Sequence, residues 1–178
     1  MSYVQDELMV SGSDDFKLLL WNPSKDKKSV ATMTGHQQLV NDVKFSPDAR
    51  IIASASFDKS VRLWDGKTGQ FMARLLGIHF SRKNSNKNYI MTGSFTNFFF
   101  QFSLGHVQEV YQLAWSADSR LLVSGSADST LKLWSARKKK LDTDLPGHGD
   151  DIYAVDWSPD GQKVVSGGKD KVLRIWRK

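Results

Sequence analysis

Serine, histidine and aspartate recur together in this chain, and in that combination they can act as nucleophile, base and orienter of an acyl-transfer site. His36 with Ser54 or Ser56 and Asp58 is one such set, His106 with Ser124 or Ser126 and Asp128 a second, and His148 with Ser166 and Asp170 a third. The spacing argues against hydrolysis. Each histidine is followed by a tryptophan 28 residues later, Trp64, Trp134 and Trp176, and each aspartate stands six residues before that tryptophan. An enzyme does not need one active site per repeat, whereas a repeated fold needs the same buried polar groups satisfied in every copy. The expected role is therefore a structural hydrogen-bond network. His79, the remaining histidine, has no carboxylate within ten residues and is a poor metal ligand. The absence of cysteine removes disulfides, thiolate metal sites and cysteine nucleophiles. No phosphate-binding glycine loop, DNA-binding helix motif or glycosylation sequon stands out, so no cofactor and no metal are expected.

The elements that must position these residues follow from the repeat itself. Gly-His opens three copies at 35–36, 105–106 and 147–148. Between Gly-His and Trp, each copy reads as three short strands divided by turn signals, as in one blade of a four-stranded antiparallel array. LVNDVKF, EVYQLAW and DIYAVDW supply the first strand, with Val43 and Phe45, Leu113 and Trp115, and Val155 and Trp157 on one face. SPDA, SADS and SPDG follow as turns. The runs IIASAS, LLVSGS and KVVSGG read as strands buried on both faces. Strand three then sets Arg62, Lys132 and Arg174 beside the tryptophans, where their aliphatic stems can cover the indoles. A further copy, SGSDDFKLLLW with Asp15 and Trp21, has no Gly-His and is expected to lack its first strand.

The Gly-His, the turn aspartate and the strand-end tryptophan together resemble the WD-repeat family over about 150 of the 178 residues. The implied fold is all-β, a partial propeller of about three and a half four-stranded blades that does not close a ring by itself. Tryptophan spacings of 43, 70 and 42 expose an insertion of 28 residues in the middle interval. Residues 1–76 are expected to hold the headless repeat and one complete repeat, 77–104 a non-repeat, irregular insertion, and 105–178 a complete repeat plus a last one without its outer strand. The insertion carries no Asp or Glu and seven aromatics, and FFFQF within it has the composition of a partner anchor or an aggregating strand.

Within the WD-repeat proteins, SGSDDFKLLLW, MTGHQQLVNDVKFSPDARIIASASFDKSVRLWDGKTG, VYQLAWSADSRLLVSGSADSTLKLW and YAVDWSPDGQKVVSGGKDKVLRIWRK are similar to the C-terminal half of the Notchless family. That resemblance implies a non-catalytic scaffold of large-ribosomal-subunit assembly, in the nucleus and nucleolus or alternatively the cytoplasm. It also brings an association with Notch signalling. The alternative is a truncated or splice-variant fragment, inactive or competing for partners. The family's N-terminal domain, which contacts an ATPase, has no counterpart in these residues, so that contact is expected to be missing.

Charge and hydropathy fit this reading without proving it. The net charge of +6 is spread along the chain and permits RNA or an acidic partner. No window approaches the ~18 apolar residues of a membrane span, and the first residues do not resemble a signal peptide. Arg137, Lys138, Lys139 and Lys140 form a charge run that is either a solvated hairpin tip or a contact for ribosomal RNA phosphates. Partner contacts are expected on the narrow face formed just after each Gly-His and before strand three, with Gln38, Phe57, Gln108, Ala127, Asp150 and Lys169 as candidates.

Overall fold

The computed structural model describes residues 2–3, 8–25, 27–75, 81–82, 100–101 and 105–177. Its first sheet is β1 (Ser2–Tyr3), β2 (Met9–Gly12), β3 (Leu18–Trp21) and β4 (Ser29–Met33), antiparallel and in chain order. The second is β5 (Val40–Phe45), β6 (Ile51–Ser56), β7 (Val61–Asp65) and β8 (Phe71–Leu75). Outside the blades, β9 (Ser81–Arg82) pairs with β10 (Phe100–Gln101). The third sheet is β11 (Val110–Trp115), β12 (Leu121–Ser126), β13 (Thr130–Ser135) and β14 (Lys140–Pro146). The fourth has three strands, β15 (Ile152–Trp157), β16 (Lys163–Gly168) and β17 (Leu173–Arg177).

Among the described residues the fold is all-β, three four-stranded blades and one of three, and these sheets form no closed ring. The expectation for the first copy needs one correction. Ser2–Tyr3 pairs with Val10 and Met9, so a short first strand is present although the Gly-His is not. Most of the 77–104 insertion, including His79, lies outside the described residues. The piece of FFFQF that is described, Phe100–Gln101, pairs with Ser81–Arg82.

Alternation decides which way each blade faces. Val10, Leu18, Leu20 and Met33 pack on Val40, Val43, Phe45, Ile52 and Trp64 of the second blade. Ala53, Ala55, Val61, Leu63 and Leu75 then pack on Val110, Leu113, Trp115, Leu122 and Trp134. Val123 and Leu131 in turn cover Ile152, Val155 and Val164. Each blade thus has an upper face that covers the next blade's lower face. The middle strands β6 and β12 are buried on both faces, as their apolar runs predict, but β16, whose run KVVSGG predicts the same, is buried on one face and exposed on the other, with Val165 38% exposed.

Polar bonds lock the same joints. Asp42 Oδ2 accepts from Leu113 N at 3.0 Å, and Gln112 Oε1, one repeat later, accepts from Val155 N at 2.8 Å. Trp115 and Trp157 donate their indole N–H to Lys44 O and Ala114 O at 3.3 and 3.2 Å. The innermost strands of the second, third and fourth blades also bulge at one place each, skipping Asn41, Tyr111 and Tyr153 in the pairing with the neighbouring strand. A bulge re-aims the extra residue out of the ladder.

Candidate functional site

Each complete repeat builds one chain of hydrogen bonds from strand three to the loop before strand one. In the second blade, Trp64 Nε1 donates to Ser54 Oγ at 2.9 Å, Ser54 Oγ lies 2.7 Å from His36 Nε2, and His36 Nδ1 lies 2.8 Å from Asp58 Oδ2. Trp134, Ser124, His106 and Asp128 repeat this at 2.8, 2.7 and 2.8 Å, and Trp176, Ser166, His148 and Asp170 at 2.9, 2.8 and 2.8 Å. The glycine before the histidine lets the loop approach in the second and fourth blades, at Gly35 and Gly147. Gly35 sits at φ +146°, and a Cβ there would collide with the Arg62 guanidinium.

Of the two serines that sequence left open in the second and third blades, one belongs to this chain and the other does not. Ser54 and Ser124 bond the imidazole and indole. Ser56 and Ser126 instead accept from Asp58 N and Asp128 N and donate to Gln38 O and Gln108 O, closing the turn before strand three. In the fourth blade Gly168 takes that second place, and Asp151 O sits where a side chain would go.

The aspartate oxygens divide the work. Asp128 Oδ2 accepts from His106 and Val107 N, while Oδ1 accepts from Thr130 N and Oγ1. Burial opposes ionisation of Asp58 and Asp128, but hydrogen bonds from the histidines, together with Ser60 for Asp58 and Thr130 for Asp128, hold both carboxyls well below the ordinary range. An ionised carboxylate only accepts, so His106 Nδ1 carries its proton. Burial lowers the His106 pKa against the pull of Asp128, which leaves Nε2 free to accept from Ser124 Oγ–H. The result runs Trp–Ser–His–Asp with each donor matched to one acceptor.

These distances are those of a catalytic triad, yet no substrate can reach the serines. Ser54 and Ser124 are wholly buried and Ser166 nearly so, each with its Oγ already occupied by an indole N–H and an imidazole. A nucleophile needs a site beside it for the reacting carbon, and tryptophan fills that place here.

The six candidate contact residues fall on one edge of the blades. Phe57 N, Ala127 N and Lys169 N donate to Leu39 O, Glu109 O and Asp151 O, so each turn before strand three is tied to the loop after Gly-His. Gln38, Gln108 and Lys169 are exposed there, and Phe57, Ala127 and Asp150 are half-buried. Lys169 Nζ meets Asp150 Oδ1 at 3.3 Å, and Asp150 raises the lysine's pKa.

Sequence reasoning missed the aromatics that join these edges. Tyr111 stands edge-on to Phe57 at 5.9 Å and to Tyr153 at 5.1 Å, forming a line across three blades. Burial, and then Asp151, Tyr153 and Glu109, push the Tyr111 phenol above its usual pKa and keep its O–H available to donate. Both tyrosines are bulge residues, so simple alternation does not show which way they point. The signal available was a repeated tyrosine five residues after His106 and His148.

Blades of this kind, each wired from tryptophan to a loop aspartate through serine and histidine, define a β-propeller repeat protein. The family model of the WD domain, G-beta repeat, matches residues 27–65, 98–135 and 138–177, more than half of the chain, and the chain belongs to that family. It is 59% identical over 68 residues to Ribosome assembly protein 4 of Saccharomyces cerevisiae, covering 38% of this chain and 13% of that protein. It is 63% identical over 71 residues to the Notchless protein homolog of Arabidopsis thaliana, covering 40% of this chain and 15% of the relative. WD repeat-containing protein 1 of Xenopus tropicalis is 35% identical over 128 residues, 71% of this chain and 16% of the relative. The chain thus spans less than a fifth of the length of these curated relatives.

Proposed function

We propose that this protein is a non-catalytic interaction scaffold for assembly of the large ribosomal subunit, acting in the nucleus and nucleolus. The observation that carries this is the similarity of 59% and 63% to proteins named for ribosome assembly and as a Notchless homolog, on a fold whose polar sets are buried. Its partners are proteins of pre-ribosomal particles. They meet the edge formed by Gln38, Phe57, Gln108, Ala127, Asp150 and Lys169, extended by Tyr111 and Tyr153. Exposed Arg137, Lys138, Lys139 and Lys140, in and just after the turn between β13 and β14, supply a secondary contact to ribosomal RNA phosphates.

Affinity capture of the tagged chain from nuclear extract tests the assignment. Large-subunit precursors should copurify with the wild-type chain and be lost on reversing both charges, Asp150→Lys with Lys169→Glu. Retention of the precursors by that variant would refute the placement of the edge. Their absence from the wild-type capture would refute the function.

A further inference from the structure

Two positions on the narrow edge change together from blade to blade, the third and the fifth residue after each Gly-His. They are Leu39 and Asn41 in the second blade, Glu109 and Tyr111 in the third, and Asp151 and Tyr153 in the fourth. The fold requires neither the acid nor the ring. Leu39 O closes the turn before strand three just as Glu109 O and Asp151 O do, and Asn41 occupies the same bulge as the two tyrosines. Asn41 is used inside the molecule, its Nδ2 donating to Val110 O at 2.8 Å across the joint between blades. The tyrosines keep ring surface for solvent, with Tyr153 48% exposed and Tyr111 half-buried.

Ring and carboxylate also stand side by side. The Tyr111 and Tyr153 planes meet at 63° with centroids 5.1 Å apart, and Phe57 backs Tyr111 at 5.9 Å. Tyr153 O–H donates to Asp151 Oδ2 at 3.4 Å, and Asp151 and Glu109 both act electrostatically on the Tyr111 phenol. Among the described residues neither carboxylate has a cation within ion-pair distance. Lys169 Nζ, on the same edge, is taken by Asp150 Oδ1 at 3.3 Å. An aromatic face and a carboxylate are both negative, and together they select a cation. A guanidinium suits them better than an ammonium, because it is planar, stacks on rings and reaches carboxylates through a fork of N–H donors.

We propose that Tyr111 and Tyr153, with Glu109 and Asp151, bind an arginine side chain of a protein partner. The guanidinium stacks on a tyrosine ring and donates to the two carboxylates, spanning the third and fourth blades. This names the group recognised at the partner edge, so it rests on the placement of that edge and not on the ribosomal assignment.

A titration of the purified full chain with a capped Gly-Gly-Arg-Gly-Gly peptide tests it, read from the ring NMR signals of Tyr111 and Tyr153. Both rings should shift saturably. The peptide with citrulline in place of arginine has the same shape without the charge and should shift neither, a comparison that needs no protein variant. Asp151→Asn should weaken binding by about tenfold, as expected for loss of a charge-assisted hydrogen bond, and Tyr153→Leu by about twofold to fivefold. The unfolding midpoint of each variant, unchanged from wild type, separates lost binding from lost structure. No saturable shift, an equal response to citrulline, or binding of the lysine peptide as tight as that of arginine would each overturn the proposal. Because no pre-ribosomal component is present, such a failure is distinct from a failed capture of large-subunit precursors.

Discussion

Asp15 and Asp128 occupy the same position in the first and third copies, yet they live in different environments. Both lie in a turn whose next residue is left-handed, Phe16 at φ 71° and Ser129 at φ 63°. Both are followed six residues later by a tryptophan bonded to a strand-two serine, for Trp21 the Ser11 Oγ at 3.0 Å. What differs is the histidine. Without it Asp15 holds its own turn through Lys17 N and pairs with Lys17 Nζ at 3.4 Å, with 56% of its side chain exposed, against 6% for Asp128. The imidazole is thus what turns a local turn-former into a bridge between the strand-three turn and the loop before strand one.

Breaking the bridge should produce the largest effect. Asp128→Ala strands the N–H groups of His106, Val107 and Thr130, and an unsatisfied buried donor costs about 1 to 3 kcal/mol. We expect a loss near the top of that range, about 3 kcal/mol, in denaturant unfolding monitored by tryptophan fluorescence, and a similar loss for Asp58→Ala. Asp15→Ala should be indistinguishable from wild type. Equal losses at Asp15 and Asp128 would show that the histidine adds nothing to the turn.

Acid should separate the same two regions in a second way. The His106 pKa is lower folded than unfolded, so its contribution is intact above the unfolded value of about 6.5 and declines as pH falls toward the folded value. Asp58 and Asp128, also depressed, keep theirs above about 4 and lose it at lower pH. Stability measured against pH should therefore fall in two stages on acidification. His106→Gln should flatten the upper stage and reduce Asp128's share of the lower one while that of Asp58 stays in place, and an unchanged upper stage would remove His106 as its source.

The contrast between copies also marks what a linear sequence shows. Register made the networks visible, because His36, Asp58 and Trp64 recur at fixed offsets and only a repeated geometry keeps such offsets. It could not separate Ser54 from Ser56, since residues two apart on a strand share a face. The choice is made by where strand two ends, with Ser56 at the last position closing the turn. The bulges at Tyr111 and Tyr153 were hidden for a related reason, since an extra residue breaks the period of two on which alternation depends. Ser2–Tyr3 is too short to alternate at all, so the first blade's inner strand left no pattern to read.

The smallest expected effect sharpens the comparison in another turn, the one between strands one and two. Ala49, Ser119 and Gly161 are its register-matched fourth residues, with φ of 61°, 60° and 69°. In each copy the fourth residue's N–H donates to the carbonyl of the turn's first serine at 2.8 or 2.9 Å, and that serine's own N–H donates to a carbonyl at the start of strand two, so the backbone shape is common to all three. Only the fourth blade has the residue for which left-handed φ costs nothing; a side chain there costs roughly 1 kcal/mol through its Cβ. Glycine also loses more freedom on folding, which offsets part of the gain. Ala49→Gly should accordingly raise stability by about 0.5 kcal/mol, and Gly161→Ala should lower it by a similar amount, as read from unfolding midpoints. Ser119→Gly should gain less, because the Ser119 hydroxyl accepts from Asp48 N at 3.1 Å and that bond is lost with it. Nothing lies within 4 Å of a Cβ built on Gly161, so a loss there would come from backbone conformation and not from a clash. If Gly161→Ala were neutral while Ala49→Gly destabilised, unfolded-state entropy would outweigh the strain of left-handed backbone, and the glycine in the fourth copy would carry no conformational advantage.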